Sequence, residues 1–133
     1  MRDGVTDVVS LLEADEERRF GLAGEAAMLT RAGVVFARLP VADYGTPSLP
    51  ALAAMADRLA ARLAKGASVH LHCAGGIGRS GLLACAVLGV EGAAPDQAMA
   101  RVGEARGKPV PETDAQRALL RDHAASLQDR AGP

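Results

Sequence analysis

Ten residues from His72 to Gly81, HCAGGIGRSG, restrict the possible folds more than any other part of the chain. Ahead of them lies ASVHLHC, a short apolar run bounded by Gly66, and behind them LLACAVLGV, an apolar run of helix length and period. A glycine-rich turn that ends a strand and opens a helix belongs to a layered α/β unit. The remaining segments read the same way. Gly4 to Leu12 and Val34 to Leu39 are short β-branched runs, separated by the charged, helix-prone stretch EADEERRFGLAGEAAMLTRAG. Helices are expected over Leu49 to about Lys65, Pro95 to Arg106 and Thr113 to Gln128, the last two joined by GKPVP. Strands alternating with helices imply a mostly parallel central sheet flanked by helices on both faces. PVADYGTPSLP holds three prolines and a glycine and is a loop, since proline lacks the ladder donor and glycine permits tight turns. This loop and the glycine turn both follow strands, at the sheet end where such folds bind ligands.

The 133 residues suit one domain over positions 1–133. Residues of apolar type make up 49% of the chain, yet Phe20, Phe36 and Tyr44 are its aromatics, so Leu, Val and Ala must fill the core. The net charge is −1 and the fifteen Lys and Arg are interspersed with acids, which argues against a nucleic-acid partner. Uncharged runs are shorter than the roughly 18 residues of a membrane span, and MRDGVTD has no apolar signal core. A cytoplasmic protein without a membrane partner is expected. Two cysteines in such a chain do not suggest a disulfide framework.

Gly76, Gly78 and Gly81 satisfy G-x-G-x-x-G after a strand. A dinucleotide site also needs a second strand ending in an acid, and Asp96 lies instead in APDQAMARV, which reads as a helix start. The mononucleotide-loop ending GK[ST] is replaced by Gly78-Arg79-Ser80. A different pattern fits the whole stretch: His72-Cys73, the five residues Ala74, Gly75, Gly76, Ile77 and Gly78, then Arg79 and Ser80. It resembles the signature of the protein tyrosine phosphatase superfamily.

The chemistry of each position suits that resemblance. Backbone amides of a tight loop at a helix N-terminus form an anion cup, which would hold a phosphate on Ala74 to Arg79 without metal or other cofactor. The same field favours an anionic Cys73 sulfur, the nucleophile. Arg79 offers a planar fork for two phosphoryl oxygens, and Ser80 can donate its hydroxyl to the sulfur when Cys73 must leave. A phosphate monoester also needs an acid for its leaving oxygen. Asp43 lies on the proline-bounded loop, about where the superfamily keeps its acid aspartate. ETDAQRALL resembles the superfamily's Thr-x-x-Gln segment, which implies that Gln116 orients the hydrolytic water, while Thr113 also suits a helix cap. His72 is expected to orient the loop by hydrogen bonding and Cys85 to sit in the core. His123 and EADEERR read as solvated helix faces.

HCAGGIGRSGLLACA and ARGKPVPETDAQRALL are most similar to the kinase-associated phosphatase branch of small dual-specificity phosphatases. Such proteins usually carry further strands ahead of the run at Gly4 to Leu12, so a minimal sheet, or an edge paired with another chain, is expected. The resemblance implies a cysteine-dependent phosphatase acting through a phosphocysteine on phosphorylated proteins or peptides. Phosphotyrosine, with phosphoserine or phosphothreonine as further substrates, suits a loop whose residues before Arg79 are uncharged; inositol phosphatases of the superfamily typically place lysines there. Two other functions fit parts of the pattern. One is a recognition module that binds phosphate without hydrolysis. The other is a thiol redox or arsenate-reducing enzyme using Cys73 and Cys85.

Overall fold

The structure, a computed structural model, describes residues 4–73 and 78–131. Among these, three strands form one parallel sheet: β1 (Asp7–Ser10), β2 (Val35–Arg38) and β3 (Val69–His72), in the order β2-β1-β3. Asp7 is level with Val35 on one side and Val69 on the other, so the strands end together at Ser10, Arg38 and His72. The described residues also form six helices: α1 (Ala14–Arg19), α2 (Glu25–Arg31), α3 (Leu49–Ala64), α4 (Gly78–Val90), α5 (Pro95–Arg106) and α6 (Asp114–Ala131).

Placing β1 in the middle follows from its sequence. All four of its residues are buried, and side chains alternate between sheet faces. Val9 joins the aliphatic core of α3 and α4. Polar Asp7 and Ser10 point to opposite faces and each has a partner. Arg62 of α3 donates from Nε and Nη2 to Asp7 at 2.9 and 2.8 Å, and Ser10 Oγ donates to Glu17 of α1 at 3.1 Å. The helices between β1 and β2 thus cover one face and α3, between β2 and β3, the other. Right-handed crossovers produce this split when successive strands are added on opposite sides of the first.

The core is aliphatic, as the composition requires: Leu11, Leu39, Leu52, Leu59, Leu82, Leu83, Val87 and their neighbours meet with no aromatic ring among them. Helix α4 is buried along most of its length and lies against α3, α5 and α6. Ser48 caps α3 by accepting the Ala51 N–H at 3.2 Å, with Pro50 in the first turn. No helix among the described residues is long and apolar enough to cross a membrane.

The helix-prone charged stretch after β1 forms two short helices separated by a break that contains Gly21, whose φ of +73° is left-handed. Two expectations about burial fail. The acids of this stretch are not all solvated, because Glu16 and Glu17 are 5% and 6% exposed. They face arginines inside the fold, which a count of charges cannot reveal. His123 is also inside, 2% exposed, because α6 packs that side against α3 and α4.

Burial pushes the His123 imidazole below its ordinary pKa, and Arg130 acts in the same direction against the pull of Asp57. The unfolded chain therefore takes up a proton near pH 6.5 that the folded chain resists. Stability should fall as pH drops from 7 to 5, and His123→Leu should flatten that slope in thermal melts. Asp7, Glu16 and Glu17, whose pKa values are lowered, lose their contribution only in a more acidic window, below about pH 4. An unchanged slope in the variant would contradict this assignment.

Candidate active site

The site begins with a buried cation. Arg79, in the first turn of α4, is 2% exposed. Its Nη1 and Nη2 donate to Glu16 Oε1 and Oε2 at 2.7 and 3.0 Å, and Nη1 also donates to the Val41 carbonyl at 2.9 Å. Glu16 is fixed independently, since its Oε1 accepts the Glu13 N–H at 2.9 Å as the capping box that starts α1. Hydrogen bonding from Arg79 holds the Glu16 carboxyl below the usual carboxylate range. Burial, the largest single influence, works against the charge on Arg79, but the hydrogen bonds and charge of Glu16, together with the weaker pull of Asp43 and Cys73, outweigh it and raise its pKa. The Nε edge makes no hydrogen bond to a described residue, and Asp43 Oδ1 lies 3.6 Å from Nη2. That edge has the two-donor shape that fits adjacent phosphoryl oxygens.

Cys73 stands directly after β3 and is half-buried. Of the cup expected between it and Arg79, Ala74, Gly75, Gly76 and Ile77 lie outside the described residues. Gly78 is described and buried, and the Glu112 carboxylate packs where a Cβ would stand, so a larger residue there would displace it. Ser80 is fully buried, and its Oγ has no hydrogen-bond partner among the described residues, Cys73 Sγ included. His72 Nδ1 lies 3.3 Å from Glu25 Oε2, linking the end of β3 to α2. Cys85 is 2% exposed and burial pushes its thiol up to about 11. That is the setting of a packed core thiol and a poor one for redox exchange.

Asp43 occupies a tight turn in which the Gly45 N–H donates to the Ala42 carbonyl at 2.7 Å. A Cβ on Gly45 would come within 2.9 Å of that oxygen, so glycine is required. Tyr44 has φ +62°, in the left-handed region that costs a side-chain-bearing residue about 1–2 kcal/mol. Gln116 is fully buried, not exposed on its helix. Its Oε1 accepts the N–H groups of Glu112 and Thr113 at 3.0 and 3.2 Å, and its Nε2 donates to the Gly45 carbonyl at 3.0 Å. Thr113 Oγ1 accepts the Gln116 N–H at 3.1 Å and caps α6. Arg79, Asp43 and Gln116 are therefore joined through the segment Val41–Gly45.

Sequence reasoning missed Glu16, Glu112 and the Val41 carbonyl. A buried arginine demands an acid, and the first acids after β1 were the place to look. The carbonyl leaves no mark in sequence.

The family model described as "Polymorphic toxin system, DSP-PTPase phosphatase" matches residues 1–93. Cyclin-dependent kinase inhibitor 3 of Mus musculus is 29% identical over 105 residues, which are 78% of this chain and 50% of that protein. The chain thus spans about half the length of this curated relative. The fold is shared with kinase associated phosphatase bearing a serine at its catalytic cysteine, at TM-score 0.82 and 22% identity over 94% of this chain and 71% of that one. Tk-PTP in its active form gives TM-score 0.80 and 28% identity over 92% and 80% of the two chains. PTPMT1 in complex with PI(5)P gives 0.83 and 25% over 96% and 81%.

Replacing Glu16 with Ala would leave a buried guanidinium without its counter-charge. Urea unfolding should show a loss of about 3–5 kcal/mol, with Glu16→Gln intermediate. A change below about 1 kcal/mol would mean that the pair is not a structural requirement.

Proposed function

The chain belongs to the DSP-PTPase phosphatases of polymorphic toxin systems, and on that premise we propose that it hydrolyses phosphate monoesters of proteins or peptides through a phosphocysteine on Cys73. In the first step the Cys73 thiolate forms a bond to phosphorus while the ester P–O bond breaks and Asp43 passes its proton to the leaving oxygen. Arg79 holds the equatorial oxygens, whose charge the loose transition state spreads. In the second step water attacks phosphorus, Asp43 takes the water's proton, and the sulfur departs with its electron pair to release inorganic phosphate. Ser80 is assigned to assist the departure, its buried hydroxyl not being committed to another described group.

The observation that carries this reading is the buried Arg79, gripped by Glu16 on one edge and, on its Nε edge, hydrogen-bonded to no described residue, with Asp43 at 3.6 Å. An arginine fixed in this way cannot swing to solvent, so its Nε edge is held in position for an anion. The amides of Ala74 to Gly78 would complete the cup, and no metal enters the scheme. Phosphotyrosine is the favoured substrate, with phosphoserine and phosphothreonine accepted, because Ala74, Gly75, Gly76, Ile77 and Gly78 bring no positive charge for a multiply charged headgroup.

The test compares phosphotyrosine, phosphoserine and phosphothreonine peptides with inositol phosphates, all with chelator present. Phosphopeptides should show the higher kcat/KM, and Cys73→Ser should abolish turnover. Faster hydrolysis of the inositol phosphates, the substrate type that the PI(5)P complex of PTPMT1 suggests, would overturn the substrate class. Loss of activity on adding chelator would overturn the metal-free chemistry.

A further inference from the structure

We propose that Gln116 is a positioning residue for Asp43: by holding the Gly45 carbonyl it locks the turn Ala42–Gly45 and fixes the reach of the acid. The inference rests on the phosphatase reading above and changes what Gln116 does within it. Orienting the hydrolytic water, the role suggested by Thr-x-x-Gln, needs a side-chain amide aimed at the anion. Here Gln116 is fully buried, its Oε1 already accepts two backbone N–H groups, and its Nε2 donates to Gly45 at 3.0 Å.

The turn needs such a hold. Ala42, Asp43 and Tyr44 are all exposed, so no packing of their own side chains fixes them. Tyr44 at φ +62° sits in a conformation that an unrestrained residue of its type would leave. Besides the Asp43 contact with Arg79 at 3.6 Å, what fastens the turn is at its two ends. On one side Val41 is buried, its N–H donates to Leu11 O at 3.1 Å, and its carbonyl accepts from Arg79 at 2.9 Å. On the other side stands the Gln116 bond to Gly45. Arg79 and Gln116 thus clamp the acid between them, and cutting the second clamp lets the turn relax while the anion-binding fork stays in place.

Proton donation matters most when the leaving group is poor. The readout is therefore kcat/KM for phenyl phosphate against p-nitrophenyl phosphate, whose phenolate leaves with little help. Gln116→Glu keeps the acceptor for Glu112 and Thr113 but loses the donor to Gly45; Gln116→Met loses both and keeps the length. In each, kcat/KM should fall about 30-fold for phenyl phosphate and within about threefold for p-nitrophenyl phosphate. The ratio of the two substrates does not depend on how much of a variant is folded. In an Asp43→Asn background neither substitution should change it further. A role on the water would slow only phosphocysteine hydrolysis, a step after those that kcat/KM reports, and would leave the ratio as in wild type. That result, or a ratio that still shifts without Asp43, overturns the proposal while the phosphatase reading stands. Wild type inert toward both esters overturns the reading and the proposal together.

Discussion

The architecture of the site depends on one buried ion pair, Glu16 with Arg79. A guanidinium taken out of water costs several kcal/mol unless its donors are satisfied and its charge is matched. Glu16 matches the charge and takes two of the donors, in a two-bond geometry that lysine could not adopt. The pair fixes more than a side chain. Glu16 belongs to the first turn of α1, Arg79 to the first turn of α4, and the spare Nη1 hydrogen binds the Val41 carbonyl. Three segments far apart in the chain are thereby set at the same end of the sheet.

The same device secures the sheet itself. Central β1 is short, and its polar ends would be a liability if unpaired. Asp7 is matched by Arg62 of α3, while Ser10 and Arg38 of β2 converge on Glu17. Hydrogen bonding from Arg62 holds Asp7, and from Arg38 holds Glu17, below the usual carboxylate range. The aliphatic core supplies non-directional burial. These charge pairs, being directional, set which helix covers which face.

Much of this was legible in the sequence because it rests on local signals. Apolar runs with glycine boundaries located β1, β2 and β3 to within a few residues, and the helix expected from Leu49 to about Lys65 is α3. Pro95 to Arg106 emerges as α5 with the expected limits. The spacing from Cys73 to Arg79 singled out the stretch that carries Arg79, and PVADYGTPSLP the loop that brings Asp43 beside it. What stayed hidden is long-range pairing. Glu16 is one of four acids within five residues, and nothing local distinguishes it from Asp15, which is exposed. His123 reads like any polar residue in an amphipathic helix until α3 and α4 close over it. The sequence singled out Gln116 but not its hydrogen bond to Gly45, because that partner is a backbone carbonyl in a loop far away along the chain.

The central claim is that the Cys73 sulfur becomes bonded to phosphorus during turnover. Rapid acid quenching of wild type mixed with a radiolabelled aryl phosphate, followed by peptide mapping, tests it directly. The account predicts label on the peptide containing Cys73 at early times, decaying as phosphate is released, and none in Cys73→Ser. Undiminished turnover by that variant, or label on any other residue, would contradict it.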